Sequence, residues 1–416
     1  SAGTDGAHRH RSQEREAQRK ERMEPKLSDS SLADVISRKR IILVVGSGGV
    51  GKTTTSATLG LLAALRGKRV LVLTIDPARR LADALSVSAL SHEIQKVPED
   101  RLRVLAEARG EAPVPGGTLD AMMLDQKRAF DDLVTRYAPD PKLRERVFRN
   151  QIYQQISSAL AGSHEYAAMS RLFELSQLDR YDLLVMDTPP TENAIDFLDA
   201  PQKMSQAVES EAIQWIMKPY LQQAGSFSLR LLGMGGTLVL KGLARFVGSD
   251  FLSQVAEFFV EFQAVLAGFR ERAQKVTSLL QKPEVSFLLA CSPESLSIDE
   301  ALYFYERLSR AKMPLGGCIV NRVHTALPEV PSELAPLLQA RPELSGYATD
   351  DVQQLAEQLH RIYAEQRILA ANDAASIARL AQKLQLPMSQ VPLLPQDVHD
   401  AGSIAAVSKH LIPVKA

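Results

Sequence analysis

Residues 41–54 read IILVVGSGGVGKTT, and no other stretch limits the possible folds as strongly. Ile41 to Val45 are five apolar, mostly β-branched residues, the composition of a short buried strand. The turn Gly46, Ser47, Gly48, Gly49, Val50, Gly51 follows, then Lys52, Thr53 and Thr54, with a helix opening at Thr53. This spacing fits the P-loop pattern G-x-x-x-x-G-K-[ST]. Glycines let successive backbone N–H groups turn inward around phosphate oxygens, and the helix N-terminus adds a positive dipole end. Lys52 is placed to reach the β/γ-phosphates, and the Thr53 hydroxyl to bind Mg²⁺. A strand, a glycine turn and a helix in this order imply a nucleoside triphosphate site.

The chain has 416 residues, enough to bury a large core. Acidic and basic residues balance at 49 each, so no global field draws it to nucleic acid or anionic lipid. Two cysteines, Cys291 and Cys318, lie inside apolar runs and offer neither a disulfide framework nor zinc spacing. No secretory signal is visible, and the most membrane-like stretch, 227–247, is broken by Arg230, Lys241, Arg245 and glycines. A soluble cytoplasmic protein is expected. Residues 1–28 are charged and nearly free of apolar side chains, so a solvated, disordered tail is expected, with Met23 a candidate native start.

Ser31 and Asp34 sit at capping-box spacing and predict a short helix ahead of the P-loop strand. After the P-loop helix, Val70 to Ile75 is a second apolar strand, ending in Asp76-Pro77-Ala78-Arg79-Arg80. Ligand chemistry in open α/β sheets collects at carboxyl ends of strands, so Asp76 is placed to orient an attacking water. The same residue suits a helix N-cap for Leu81 onward, and spacing alone leaves both readings open. Leu102 to Ala106 reads as a short third strand. Leu119 to Tyr137, Asp140 to Ala161 and Tyr166 to Leu178 read as helices, making 111–180 a helical insertion.

Tyr181 to Met186 is another buried strand and delivers Asp187, the Walker B arrangement whose carboxylate holds the Mg²⁺ shell. From Ile195 to about Gln281 the chain is helical and unusually apolar, with Trp215, Phe227, Met234, Phe246, Phe251 and Phe258 among its side chains. Helical spacing favours a subdomain core or subunit contact there, ahead of a groove for a hydrophobic client helix. Val285 to Ala290 resumes the sheet, with a crossover helix over 297–311, and Gly317 to Val320 precedes Asn321-Arg322. The Asn321 amide both donates and accepts hydrogen bonds, as a purine reader must. Two helices follow between Pro328 and Gln385, then a strand or loop edge at 391–394 and a helix from Ala401. The pattern is one doubly wound, mainly parallel α/β domain over 29–416, with a helical subdomain inserted at about 111–180 and 195–281.

GSGGVGKTTTSA, LTIDPARRLADAL, YDLLVMDTPPTENAIDFLDAP and SPESLSIDEA with CIVNRV together closely resemble the ArsA-like ATPases. That family contains arsenical pump ATPases and the GET-type ATPases that target tail-anchored membrane proteins. The resemblance spans roughly 35–410. It implies a SIMIBI-class P-loop fold, ATP/ADP and Mg²⁺ as cofactors, and a dimer with facing P-loops that opens and closes with nucleotide state. It makes Asp76 the water-orienting carboxylate of switch I, Asp187 the Walker B residue of switch II and Thr53 a metal ligand. Asn321 becomes the adenine contact, with Pro392 beside the adenine pocket.

This chain departs from the family pattern in three places. The family's deviant P-loop carries a signature Lys directly after its first glycine, which crosses the dimer; Ser47 stands here. The resemblance then implies three alternatives: Arg79 or Arg80 substitutes, a Lys-bearing paralogue completes a heterodimer, or hydrolysis is slow. A homodimer that tolerates Ser47 is a fourth. Thr191-Glu192-Asn193 replaces the usual Gly-His pair of switch II, and no C-x-x-C occurs, which removes a zinc clasp and arsenite-binding thiolates. The expected activity is ATP hydrolysis, coupled either to hydrophobic membrane-protein segments, to an anion-transporting membrane partner, or to a slow switch.

Overall fold

The computed structural model describes residues 31–75, 80–85, 87, 90–138, 140–156, 163–188, 249–344, 346–398 and 401–413. In chain order, the first half of the sheet domain contains α1 (Leu32–Arg38), β1 (Ile41–Gly46), α2 (Lys52–Leu65), β2 (Arg69–Thr74), α3 (Arg80–Ala84), β3 (Gln95–Lys96), α4 (Glu99–Arg109) and β4 (Thr118–Met123). Four helices come next, α5 (Gln126–Tyr137), α6 (Pro141–Arg149), α7 (Gln151–Ile156) and α8 (Ser163–Ser176), before β5 (Leu183–Asp187). The rest comprises α9 (Ser249–Leu280), β6 (Val285–Cys291), α10 (Ser295–Arg310), β7 (Leu315–Val323), α11 (Leu334–Gln339), α12 (Thr349–Leu384), β8 (Met388–Pro392) and α13 (Ala401–Leu411).

The eight strands form one sheet in the order β3-β4-β2-β5-β1-β6-β7-β8. Every neighbouring pair is parallel except β3 with β4. β1 lies between β5 and β6 and is buried along its whole length, so both of its faces must be covered. Strand alternation then sorts the core into two layers. Ile42, Val44, Val70, Val72, Leu183 and Val185 face α1, α2, α4 and α13. Leu43, Val45, Leu71, Leu73, Leu184 and Met186 face α8, α10, α12 and the end of α9. This is the doubly wound architecture that the run of apolar strands predicts.

Local chemistry sets the element ends. The Ser31–Asp34 capping box opens α1 as its spacing predicts, and Lys68 closes that helix by donating to the Ile36 and Ser37 carbonyls. Two expectations are corrected. Leu102 to Ala106 is not a strand but part of α4, whose buried Leu102, Leu105, Ala106 and Arg109 repeat at helical steps and which ends at left-handed Gly110. Conversely, Thr118–Met123 is a strand, not the start of a helix. Its Leu, Ala and Met residues are good helix formers, but six registered pairs with β2 outweigh that propensity. The helices between β4 and β5 therefore begin at Gln126, not near 111.

Those helices and α9 share a separate core in which Phe130, Tyr153, Phe258, Phe262 and Phe269 pack ring against ring. Phe258 is thus a core residue. Residues 195–248, with Trp215, Phe227, Met234 and Phe246, lie outside the described residues, and so do the 1–28 tail and the 227–247 stretch. Among the described residues no helix is long and apolar enough to cross a membrane.

Arg69 ties the start of β2 to that of β5, donating to Asp182 from its backbone N–H (2.8 Å), Nε (3.1 Å) and a terminal nitrogen (2.8 Å). These bonds push the Asp182 pKa from 3.8 down to about 2. The strap's contribution is therefore complete above the unfolded value and lost as pH falls through the folded one. Because the pair is half-exposed, Asp182→Asn is expected to lower the melting temperature by only about 1–3 °C at neutral pH. Parent and variant should converge below about pH 2 in a thermal-melt series; a constant offset would show that the carboxylate's charge is irrelevant.

Candidate nucleotide-binding site

The P-loop joins the carboxyl end of β1 to the N-terminus of α2, at the centre of the sheet. Its glycines have distinct reasons to be there. A Cβ on Gly46 would collide with the Ala290 carbonyl of β6, so only a bare α-carbon lets the two strands run side by side. Gly49 and Gly51 hold φ of 75° and 87°, the left-handed region, and a Cβ on Gly51 would strike the Asn321 amide. Gly46→Ala is expected to cost about 1–3 kcal/mol, since a backbone carbonyl has no alternative rotamer. A urea midpoint equal to the parent's would show that β1 and β6 separate freely at that point.

Lys52 is buried, and its ammonium donates to the carbonyls of Gly46 (2.9 Å) and Ser47 (2.7 Å). The charge thus sits inside the loop's own curve, where phosphate oxygens would be received. Across from it, Thr53 Oγ1 donates to Asp187 Oδ2 at 2.8 Å, and Thr74 Oγ1 donates to the same oxygen at 2.9 Å. Two threonines, one in the first turn of α2 and one at the end of β2, therefore converge on the buried carboxylate at the end of β5. Thr188 continues this frame by donating from Oγ1 to the Val44 carbonyl at 2.8 Å.

Asn321 lies at the end of β7, where its Nδ2 donates to the Val50 carbonyl (3.0 Å) and its Oδ1 accepts from the Arg322 N–H (3.0 Å). The residue expected to read adenine thus also braces the P-loop. A cavity of about 410 Å³ runs from Gly49, Gly51, Lys52, Thr53 and Thr54 to Asn321 and Pro392. That volume lies within the range of roughly 300–1,000 Å³ usual for small-molecule sites. Val50 is buried beneath the loop and Gly48 is exposed on it.

Ser47 is half-buried, and its hydroxyl is 3.1 Å from that of Ser297, which itself accepts from the Ser292 N–H at 3.0 Å. The side chain at the signature-Lys position is therefore engaged within its own chain, on the first turn of α10. Asp76 and Arg79, like Thr191, Glu192 and Asn193, lie outside the described residues. Arg80, at the start of α3, lines the cavity.

Three contributors escape a reading of the sequence. Thr74 closes an apolar strand, and its hydroxyl becomes meaningful only once β5 is known to be its neighbour. Arg322 and Leu393 also line the cavity. Neither carries a motif signal beyond standing next to Asn321 and Pro392.

The donor set suits a magnesium-bound nucleoside triphosphate. Mg²⁺ takes oxygen ligands and keeps few protein contacts beside phosphates, and the Thr53 and Asp187 oxygens are of that kind. The glycine curve with Lys52 at its centre matches the triphosphate. Residues 39–386 match the ArsA ATPase family, described as anion-transporting ATPases. The chain belongs to that family.

Its similarity to individual members is distant but long. It is 22% identical over 362 residues to a Paramecium tetraurelia protein named ATPase ASNA1 homolog 1, covering 86% of this chain and 95% of the relative. It is 27% identical over 304 residues to the ATPase get3 of Aspergillus terreus, covering 71% and 77%. A putative arsenical pump-driving ATPase of Aquifex aeolicus is 27% identical over 290 residues, covering 68% of this chain and 63% of the relative. The chain's P-loop, Asp187 at the end of β5 and Asn321 on β7 all fall within the range matched by the family.

Proposed function

We propose that this chain is a magnesium-dependent ATPase working as a nucleotide-driven dimer switch. The observation that carries the reading is Lys52 held in the P-loop curve beside the Thr53–Asp187 pair, on a cavity sized for a nucleotide. When bound, Mg²⁺ supplies charge neutralisation between the phosphates. The protein's own residues do the rest. Lys52 exchanges its two loop carbonyls for β/γ-phosphate oxygens, and the P-loop N–H groups hold the remaining oxygens. Thr53 and Asp187 orient the metal, with Thr74 fixing the carboxylate. Asp76 orients the attacking water, and Asp187 relays loss of the γ-phosphate to the segment after β5.

Ser47 supports a cation supplied from elsewhere, because its hydroxyl is tied to Ser297 and carries no charge. Either a Lys-bearing paralogue in a heterodimer supplies it, or Arg79 or Arg80, the latter on the cavity wall, supplies it in cis, or hydrolysis is slow. The helical subdomain holds a hydrophobic protein segment when ATP closes the dimer, the role that the resemblance to GET-type ATPases implies; residues 189–248, which carry most of its apolar side chains, lie outside the described residues. A second reading, an ATPase energising an anion-transporting membrane partner, draws on the family description and the arsenical-pump relative. Against metalloid binding by thiolates, Cys291 and Cys318 are buried in β6 and β7 with their sulfurs 3.9 Å apart, and the hydrogen bond with Cys291, together with burial, holds the Cys318 thiol well above its ordinary pKa.

The test is molar mass by light scattering with ADP, and with ATP plus Mg²⁺, while phosphate release is followed in parallel. An ATP-dependent dimer that hydrolyses ATP is expected if Arg80 or another residue of the chain completes the site. A monomer with little turnover, restored by a Lys-bearing paralogue, is expected for the heterodimer. Absence of ATP binding under all conditions would overturn the assignment.

A further inference from the structure

The helix that leaves the P-loop ends beside a second cavity. α2 starts at Lys52 and finishes at Leu65, and its 14 residues span ~21 Å. Where it finishes, a cavity of about 950 Å³ opens between Arg66, the start of α1, the first residues of β8 and the end of α13. Leu32, Met388, Leu411 and Ile412 give it apolar walls, Arg66 and Glu111 bring charge, and His410 stands exposed at the rim. Among the described residues, none lines both this cavity and the nucleotide cavity.

The charges around it do not cancel. Arg109, at the end of α4, is 4% exposed and donates to Ser408 Oγ at 3.0 Å, to the Ile412 carbonyl at 2.9 Å and to Glu111 at 2.7 Å. It thus ties α4 to α13 and occupies the Glu111 carboxylate, whose pKa this hydrogen bond holds below the ordinary value. Arg66 is half-buried near the same pair. It makes no ion pair among the described residues, and its side chain's one hydrogen bond there is a long one, 3.4 Å to the Leu62 carbonyl. Burial lowers the Arg66 pKa; Glu111 opposes that shift and the Arg109 guanidinium adds to it. Two guanidiniums therefore share one carboxylate beside apolar walls. A partly buried charge in that position is costly until a further anion joins it.

We propose that this cavity binds a small amphiphilic monocarboxylate, its head on Arg66 and its apolar body against Met388, Leu411 and Ile412. A guanidinium receives a carboxylate through two parallel N–H···O bonds. One negative charge balances the surplus, whereas a phosphate monoester, at about −2, overshoots it. The apolar body follows from the lining, which buries hydrocarbon and offers it few hydrogen bonds. The site uses none of the nucleotide-binding residues and goes beyond the ATPase reading.

Titration calorimetry of the full chain with decanoate, decanol, decyltrimethylammonium and acetate, each below its aggregation limit, tests the assignment. Decanoate is expected to bind saturably and at least about tenfold tighter than decanol or the ammonium, with acetate showing no measurable heat. Arg66→Gln should weaken decanoate about tenfold and leave decanol within about twofold, and Arg66→Lys should recover part of the loss. The ligand-free melting temperature of Arg66→Gln should stay within about 2 °C of the parent's. Saturating Mg-ATP should leave decanoate affinity within about twofold. Equal affinities for decanoate and decanol, or parental decanoate affinity in Arg66→Gln, would overturn the proposal in favour of a merely apolar surface. Displacement of decanoate by Mg-ATP would overturn a second site. Binding to anionic vesicles without binding to decanoate in solution would overturn it in favour of a membrane surface. So would an absence of saturable decanoate binding to the full chain, in which residues 1–30 join the domain at Ser31 on the cavity rim, overturn the site itself.

Discussion

Lys52→Ala is expected to reduce ATP affinity by at least about a hundredfold, the loss of two or more charge-assisted hydrogen bonds. The expectation follows from where the ammonium is held. It is 6% exposed and already bonded to the carbonyls of Gly46 and Ser47, so its position is set before any ligand arrives. Alanine removes the charge and also leaves the two carbonyls without their donor. A drop in ligand-free stability of about 1–3 kcal/mol should accompany the binding defect. The two effects separate by measurement: ATP affinity is read by calorimetry well below the variant's melting temperature, and stability by urea unfolding. Tripolyphosphate should lose as much as ATP, because the role proposed for Lys52 is on the phosphates and not on the base. Unchanged ATP binding in a folded variant would remove the P-loop assignment altogether.

What was legible in the sequence was what is local along the chain. β1, the P-loop turn and α2 occupy consecutive residues, and the physical demand of each is written in its residue types: β-branched residues for burial, glycine for tight approach, then a helix. The Ser31–Asp34 cap was legible for the same reason. The errors fell where partners are distant. Thr118–Met123 contains helix-forming residues, and only β2 along its side makes it a strand. Leu102 to Ala106 looks strand-like in a window of five because Val104 fills the gap, and the helical period is sustained over two turns only with Arg109 in view. The site divides similarly. Lys52, Thr53 and Asp187 announce themselves by spacing, whereas the joining of Thr53, Thr74 and Asp187 needs the sheet order β2-β5-β1. No pattern in residues 320–323 signals a bulge, because the register it breaks belongs to β8.

That three-residue junction sets the second large effect. Asp187 is 1% exposed, and one of its oxygens accepts from both Thr53 and Thr74. Asp187→Asn keeps a carbonyl oxygen in nearly the same place, so both hydroxyls retain an acceptor and the fold should be preserved to within about 1 kcal/mol. The full negative charge is lost, and with it the charge that the proposed function has hold a divalent cation beside the triphosphate. Turnover is expected to fall by at least about a hundredfold, on the scale of losing one major electrostatic element of a phosphoryl-transfer site. Asp187→Ala differs in kind: it strands the buried Thr74 hydroxyl and the half-buried one of Thr53 and should lose a further 1–3 kcal/mol of stability, roughly the cost of unsatisfied donors. Phosphate-release assays with increasing Mg²⁺ distinguish the outcomes. An Asn variant that regains activity at high Mg²⁺ has lost metal affinity alone. One that stays inactive at saturating Mg²⁺, yet still binds ATP, has lost the link between γ-phosphate departure and the segment after β5. An Asn variant with parental turnover would mean that Asp187 is a structural acceptor for two threonines and that the metal is held by other groups.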